Sequence, residues 1–173
     1  MIGRVAAVAL LACALVAGAA MYWLQTRAFY ERIPDGTGAE VLLTSLSTGA
    51  PEPIPHDDFE AIDATSSPIR YRACFTTPLR FGTLTETYAP AADPVPLTAP
   101  GWFDCFDAAA IAAALDSGDA LAFMGHENIT YGIDRIVAIT RDGRGYAWHR
   151  INACGEVVFD GRPAPEGCPP PPS

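Results

Sequence analysis

Three histidines and five cysteines are the side chains best suited to act as bases, nucleophiles or soft metal ligands. His56 opens the run His56-Asp57-Asp58, and His126 opens His126-Glu127-Asn128, so each imidazole sits beside hard oxygen ligands. Neither run has the His-Glu-x-x-His spacing that sets two imidazoles on one helical face, and neither is an EF-hand loop. A local cluster of this kind in a polar loop is ordinarily just solvated. Serine chemistry would need a Gly-x-Ser-x-Gly elbow, which the sequence lacks. No Cys-x-x-Cys pair is present, so thioredoxin-like exchange is not expected. No catalytic, cofactor-binding or metal-binding residue is assigned on these grounds, and no cofactor is expected. A competing reading is a small extracytoplasmic hydrolase or metal-dependent enzyme using His56, Asp57, Asp58, His126, Glu127 or His149. It requires two histidines and an acid to converge in one cleft. A third reading places a small envelope ligand in an aromatic groove near Trp102, Phe103 and Trp148.

The cysteines have a simpler use. Cys13 lies in an apolar run, and Cys74, Cys105, Cys154 and Cys168 lie beyond it. An even count outside a membrane segment fits an oxidising compartment and two disulfides. Four cysteines allow three connectivities. Cys154 and Cys168 flank a short excursion that brings its own ends together, which leaves Cys74 for Cys105.

What holds these residues in place starts at the N-terminus. Val5 to Leu24 is a run of 20 residues without a charge. As a helix it spans roughly 30 Å, the hydrocarbon thickness of a bilayer. Ala17-Gly18-Ala19 offers a signal-peptidase pattern, and Leu10-Leu11-Ala12-Cys13 faintly resembles a lipoprotein box. Against cleavage, the basic n-region is minimal, and Tyr22-Trp23 and Phe29-Tyr30 extend the pattern as interfacial aromatics. The expectation is an uncleaved signal anchor over residues 1–35, with 5–24 in the membrane. The helix is read as running to Ile33 and stopping before Pro34-Asp35-Gly36. The cysteines favour the C-terminal domain lying outside the cytoplasm, which puts a single-pass protein in the inner membrane with a periplasmic domain.

Charge narrows the partners. Beyond Asp35 there are 8 Arg and 18 Asp plus Glu, so the soluble part carries 8 − 18 = −10. A negative body repels nucleic acid and anionic headgroups, so nucleic-acid binding is not expected.

Proline draws the internal map. None of the 16 prolines falls between Gly101 and Arg162, so that window should hold the regular core. Before it, residues 69–76 alternate as a half-buried strand, and 79–88 read as a segment pairing back on it. Within it, Asp107 caps a helix over Ala108–Ser117 that ends at Gly118. Leu121 to Met124 reads as a short buried strand. Residues 133–140 and 145–152 read as a hairpin with a two-residue turn at Asp142-Gly143. That register sets Tyr146 opposite Ile139, Trp148 opposite Val137 and His149 opposite Ile136, with Asp134 diagonal to His149. Glu156–Asp160 reads as a third strand. The fold class is α+β: a largely antiparallel sheet with one short helix over residues 36–168, and a proline-rich tail at 169–173.

Four blocks carry a family resemblance: Ser67-Pro68-Ile69-Arg70-Tyr71-Arg72-Ala73-Cys74-Phe75, Pro100 to Asp107, Tyr131-Gly132-Ile133-Asp134-Arg135, and Gly143 to His149. They resemble an uncharacterised family of short, membrane-anchored alphaproteobacterial proteins. The resemblance implies an envelope setting and brings no activity or catalytic residues. The leading expectation is therefore a non-catalytic domain that docks to an envelope protein near the membrane.

Overall fold

The computed structural model describes residues 2–34 and 41–171. It divides into an N-terminal unit, Met1–Tyr30, and a second unit from Glu31 onward. The first is a helix. α1 spans Ile2–Trp23 and continues as a π-helical turn over Leu24–Ala28. Gly3–Ala28 is long and apolar enough to cross a membrane, and a signal sequence meets the same test. Arg27 in the last turn suits the negative end of the helix dipole.

The helix does not reach Ile33. Glu31–Ile33 is a strand, β1, antiparallel to Ala61–Asp63. Alternating side chains and a waiting sheet edge outweigh helical continuation there. The expected stop at Asp35-Gly36 lies outside the described residues.

The second unit is α+β, as read from the sequence. Six strands form one antiparallel sheet in the order β1-β4-β5-β8-β7-β6. The added strands are β4 (Asp57–Asp63), β5 (Arg72–Thr76), β6 (Ala120–Thr130), β7 (Ile133–Thr140) and β8 (Arg144–Ile151). A two-stranded sheet, β2 (Leu42–Thr44) and β3 (Pro51–Pro53), precedes β4. The main core lies on one face. Phe59, Ala61, Ala73, Phe75, Ala147, Val137 and Ile139 pack there with Leu43, Ile54 and Leu84. Alternate positions point the other way. Ile62, Ile136 and Trp148 are fully buried on that second face, where the Phe106 ring meets Trp148 edge-on at 6.3 Å.

Both faces are covered, and this corrects the half-buried reading of residues 69–76. Arg72 to Phe75 are all buried, and residues 69–71 precede the strand. Gly145 on β8 leaves room for the Phe75 ring, since a Cβ there would overlap it.

Helix α3, Ala108–Ser117, forms as expected. Asp107 accepts from the Ala109 and Ala110 amides, and Gly118 closes the helix in the left-handed conformation at φ 76°. Ile111 is its buried anchor. Two segments read as strands are helical instead. Phe81–Thr87 forms α2, which presents Leu84 to the core. The expected strand Glu156–Asp160 overlaps α4, Ala153–Val158, which Asn152 caps by accepting from the Cys154 and Gly155 amides; Phe159 and Asp160 lie in the turn after it. The strand read at Leu121 to Met124 is longer than expected, with bulges on either side of His126.

The hairpin exists, but its register is one residue from the expected one. Ile139 pairs with Gly145, Ala138 with Tyr146, Val137 with Ala147, Ile136 with Trp148 and Arg135 with His149. The loop has three residues, 141–143, with Gly143 at φ 85° and its amide bonded to the Thr140 carbonyl at 3.0 Å. That is a type I turn followed by a left-handed glycine. Thr140 Oγ1 reinforces it, donating to the Arg144 carbonyl and accepting the Arg144 amide. One extra turn residue moves every cross-strand partner by one.

The disulfides join Cys74 to Cys105, with Cα atoms 6.2 Å apart, and Cys154 to Cys168, with Cα atoms 5.8 Å apart. The first ties β5 to the segment before α3. The second ties α4 to the C-terminal segment.

Candidate functional site

The histidines stand in three different settings. His56 precedes β4; its Nδ1 lies 3.0 Å from the Ile54 carbonyl, and its ring meets Phe59 and Phe75 edge-on. Asp57 and Asp58 beside it are exposed, and Asp58 accepts from Thr76 Oγ1 at 3.1 Å. His126 sits between the β6 bulges, where it lines a hollow of about 300 Å³ with Glu127, Asn128 and Thr44. His149 is buried in β8. Arg135 pairs with His126 on one side and His149 on the other, which sets the two imidazoles two strands apart, roughly 10 Å. Among the described residues, no group of three or more His, Cys, Asp and Glu side chains is placed to hold a metal ion.

His149 belongs to a packed polar group at one end of the core face. Its ring stacks on Tyr71 at 4.7 Å, and its Nδ1 lies 2.7 Å from the Pro68 carbonyl. A carbonyl only accepts, so Nδ1 carries the proton. Nε2 then accepts from Arg135 Nε at 3.1 Å. The Arg135 guanidinium lies 3.9 Å from the Tyr71 ring centroid.

Burial and the adjacent Arg135 push the His149 imidazole down to about 4, with the Pro68 hydrogen bond acting the other way. Burial pushes the Tyr71 phenol up. The Asp63 carboxyl is also raised by burial, partly offset by the Ala64 amide, Arg135 and Arg72. A neutral imidazole whose two nitrogens are both engaged is a poor general base. The partners that hold His149 are therefore a guanidinium and a carbonyl. The expected pairing with Asp134 fails with the register that implied it, since Asp134 lies opposite Arg150.

Asp134 organises a second polar knot on the opposite face. It is 3% exposed. Its Oδ1 accepts the Asn128 amide at 3.0 Å and Asn152 Nδ2 at 2.8 Å, while Oδ2 pairs with Arg150 at 3.6 Å. Asn152 joins this knot to the cap of α4.

A third feature is a strap. Residues 89–98 carry no helix or strand and are fastened by side chains from the sheet. Arg150 donates to the carbonyls of Ala92 and Asp93. Arg72, 4% exposed, donates to Leu97 O at 2.8 Å and Thr98 O at 3.1 Å, and also to the carbonyls of Ile69 and Tyr71. Hollows flank the strap on two sides. One, of about 630 Å³, is lined by Pro94, Val95, Leu115 and Leu121 with Asp93 and Asp116. The other, of about 540 Å³, is lined by Ile69, Val95, Leu97 and Ile151 with Arg150 and Glu156.

The aromatic residues read as a ligand groove are differently placed. Trp148 and Phe103 are buried, and Trp102 is half-buried with its ring 6.4 Å from Phe103. The sequence reading passed over Arg72, Arg135 and Arg150. Their only signal was an arginine inside each of three strand-forming runs.

No curated protein and no solved structure matches the chain. A family model described as a family of unknown function, DUF6446, matches residues 41–169. That span covers most of the chain and takes in both disulfides, the strap, the polar knot and the His149 group, so the chain belongs to this family of unknown function.

Proposed function

We propose that this protein is a non-catalytic docking domain held at a bacterial inner membrane by an uncleaved signal anchor. Residues 1–35 stay with the mature chain, residues 36–168 lie in the periplasm, and the partner is another envelope protein. The alphaproteobacterial setting follows from the resemblance of the sequence blocks.

One observation carries the reading: the four cysteines of the domain and its buried histidine are already used structurally. All four of its cysteines are in disulfides, and buried His149 has both ring nitrogens engaged. The disulfides favour an oxidising compartment. The apolar helix supports tethering, with only Phe29 and Tyr30 between its end and β1.

The test is topology in cells making the full chain. Membranes are washed with carbonate, spheroplasts are treated with protease, and the mature N-terminus is sequenced. Expected are retention in the membrane, an intact N-terminus, protease access to the domain and no alkylatable thiol in it. A mature N-terminus at Ala20, release into the soluble fraction, or four free thiols would overturn the reading.

A further inference from the structure

The hollow between the strap and α3 has a chemical character that its lining fixes. Pro94 and Pro96 have no N–H, and the Val95 amide turns back to the Asp93 carbonyl at 2.9 Å. Residues 94–96 therefore cross the face without donating to the sheet, while the segments on either side are held. Ala91 donates to Ala122 O at 3.0 Å, Arg150 holds Asp93, and Arg72 holds Leu97 and Thr98. The strap is thus a fixed wall. The opposite wall is α3, through Ala112 and Leu115, and the floor is β6, through Leu121 and Ala122.

At about 630 Å³ the hollow has the size that holds several side chains. Val95 is 67% exposed beside it, an apolar residue with no cover. The charged residues lining it are Asp93 and Asp116, both exposed, and no basic side chain lines it. The soluble part as a whole carries −10, which steers cationic segments toward it and anionic ones away. The hollow on the other side of the strap differs, because Arg150 lines it beside Glu156.

We propose that the groove between the strap and α3 is the docking site for a partner protein segment bearing an apolar side chain next to arginine or lysine. The apolar residue seats against Leu115, Ala122 and Val95. The cation reaches Asp93 and Asp116 at the edge. This rests on the docking reading above and assigns it a site and a partner chemistry.

The experiment uses the full chain in its native membranes, with a photoreactive benzoyl-phenylalanine at exposed Val95. A second chain carries the same probe at exposed Thr48, on the β2–β3 turn. Captured segments are mapped by mass spectrometry. Expected from Val95 is one segment carrying arginine or lysine beside an apolar residue. Combined reversal, Asp93→Arg with Asp116→Arg, should lower its yield roughly tenfold. Reversal at exposed Glu86, Glu86→Arg on α2, should leave the yield unchanged. Capture of an acidic or uncharged segment from Val95, or a yield indifferent to the double reversal, would overturn the proposal. Capture from Thr48 alone would overturn the groove and leave the docking reading standing. Capture from neither position would overturn both.

Discussion

Removing the Arg72 fork should release one end of the strap at a cost that can be worked out. Arg72 is 4% exposed and donates to four carbonyls: Ile69 at 2.8 Å, Tyr71 at 2.6 Å, Leu97 at 2.8 Å and Thr98 at 3.1 Å. Hydrogen bonds from a charged group contribute about 1.5–3 kcal/mol each, so a simple sum exceeds about 6 kcal/mol. Two effects reduce it. Only Tyr71 is fully buried among the four residues, so water can replace part of what Ile69, Leu97 and Thr98 lose. Relief from burying a guanidinium also offsets the loss. Arg72→Met should therefore destabilise by about 3 kcal/mol, lowering Tm by roughly 9 °C for a domain of this size. Arg72→Lys should recover little of this, because an ammonium is a point donor that cannot serve the strap and the 69–71 turn together. Urea unfolding without reductant reads the stability, using the fluorescence of fully buried Trp148. Hydrogen exchange over 91–98 reads the strap. The reasoning is refuted if Arg72→Met changes stability by less than about 1 kcal/mol and leaves strap exchange unaltered, since the fork would then be neutral.

His149 predicts a pH dependence. Its folded pKa of about 4 lies below its ordinary 6.5, so the folded state prefers the neutral ring. This contribution is complete above pH 6.5 and is lost as pH falls toward 4, by about 2 kcal/mol between pH 7.5 and 5. Urea midpoints across that range should show it, His149→Gln should flatten the slope, and an unchanged slope in the variant would assign the effect elsewhere. At the second knot, Asp134→Ala takes the acceptor from the Asn128 amide and one of the acceptors from each of Arg150 and the Asn152 side chain, which keep the Ala92 and Asp93 carbonyls and Asn128 Oδ1, and should cost about 2–3 kcal/mol. Asp134→Asn keeps one acceptor oxygen and should cost clearly less by the same urea assay; equal losses would remove the hydrogen bonds from the account. The Cys154–Cys168 bond closes 14 residues, and Cys168→Ser should cost about 3 kcal/mol in the chain-entropy account, read as a lower Tm without reductant. A Tm within about 2 °C of the parent would contradict it.

The parts of the fold that could be read from sequence are those dictated locally. Asp107 and Gly118 bracket α3 with cap chemistry that requires no tertiary partner, and both act as caps. The hairpin could be placed because Asp142-Gly143 marks a turn, yet its register depended on loop length. A left-handed Gly143 serves a two-residue loop or the third position of a three-residue loop equally well, and the Thr140 side chain selects the latter. The segments 79–88 and 156–160 have compositions that suit a strand, but Leu84 finds its place in the core from a helix, and Asn152 caps a helix that takes in residues 156–158. The His149 group could not be read because it joins the distant 68–71 segment, through Pro68 and Tyr71, to Arg135 on the neighbouring strand. The single-residue shift in register is what exchanged Ile136 for Arg135 as its neighbour.

That exchange points to a physical link between two oddities of composition, the abundance of proline and the exclusive use of arginine as the basic residue. A proline-rich strap has few N–H groups to offer, so it can join a sheet mainly through its carbonyls. Carbonyls need donors, and most sheet amides are already paired within the sheet. The donors must come from side chains long enough to cross from a strand and able to serve several acceptors at once. Arginine meets both demands, with five N–H groups in a fixed fork, where lysine offers one mobile centre. Arg72 and Arg150 are placed accordingly, on adjacent parts of the second face, one at each end of the Pro94–Pro96 span. The Cys74–Cys105 bond then fixes the chain beyond the strap to the same strand that carries Arg72. A segment unable to form regular structure is thereby held rigid enough to serve as one wall of a groove.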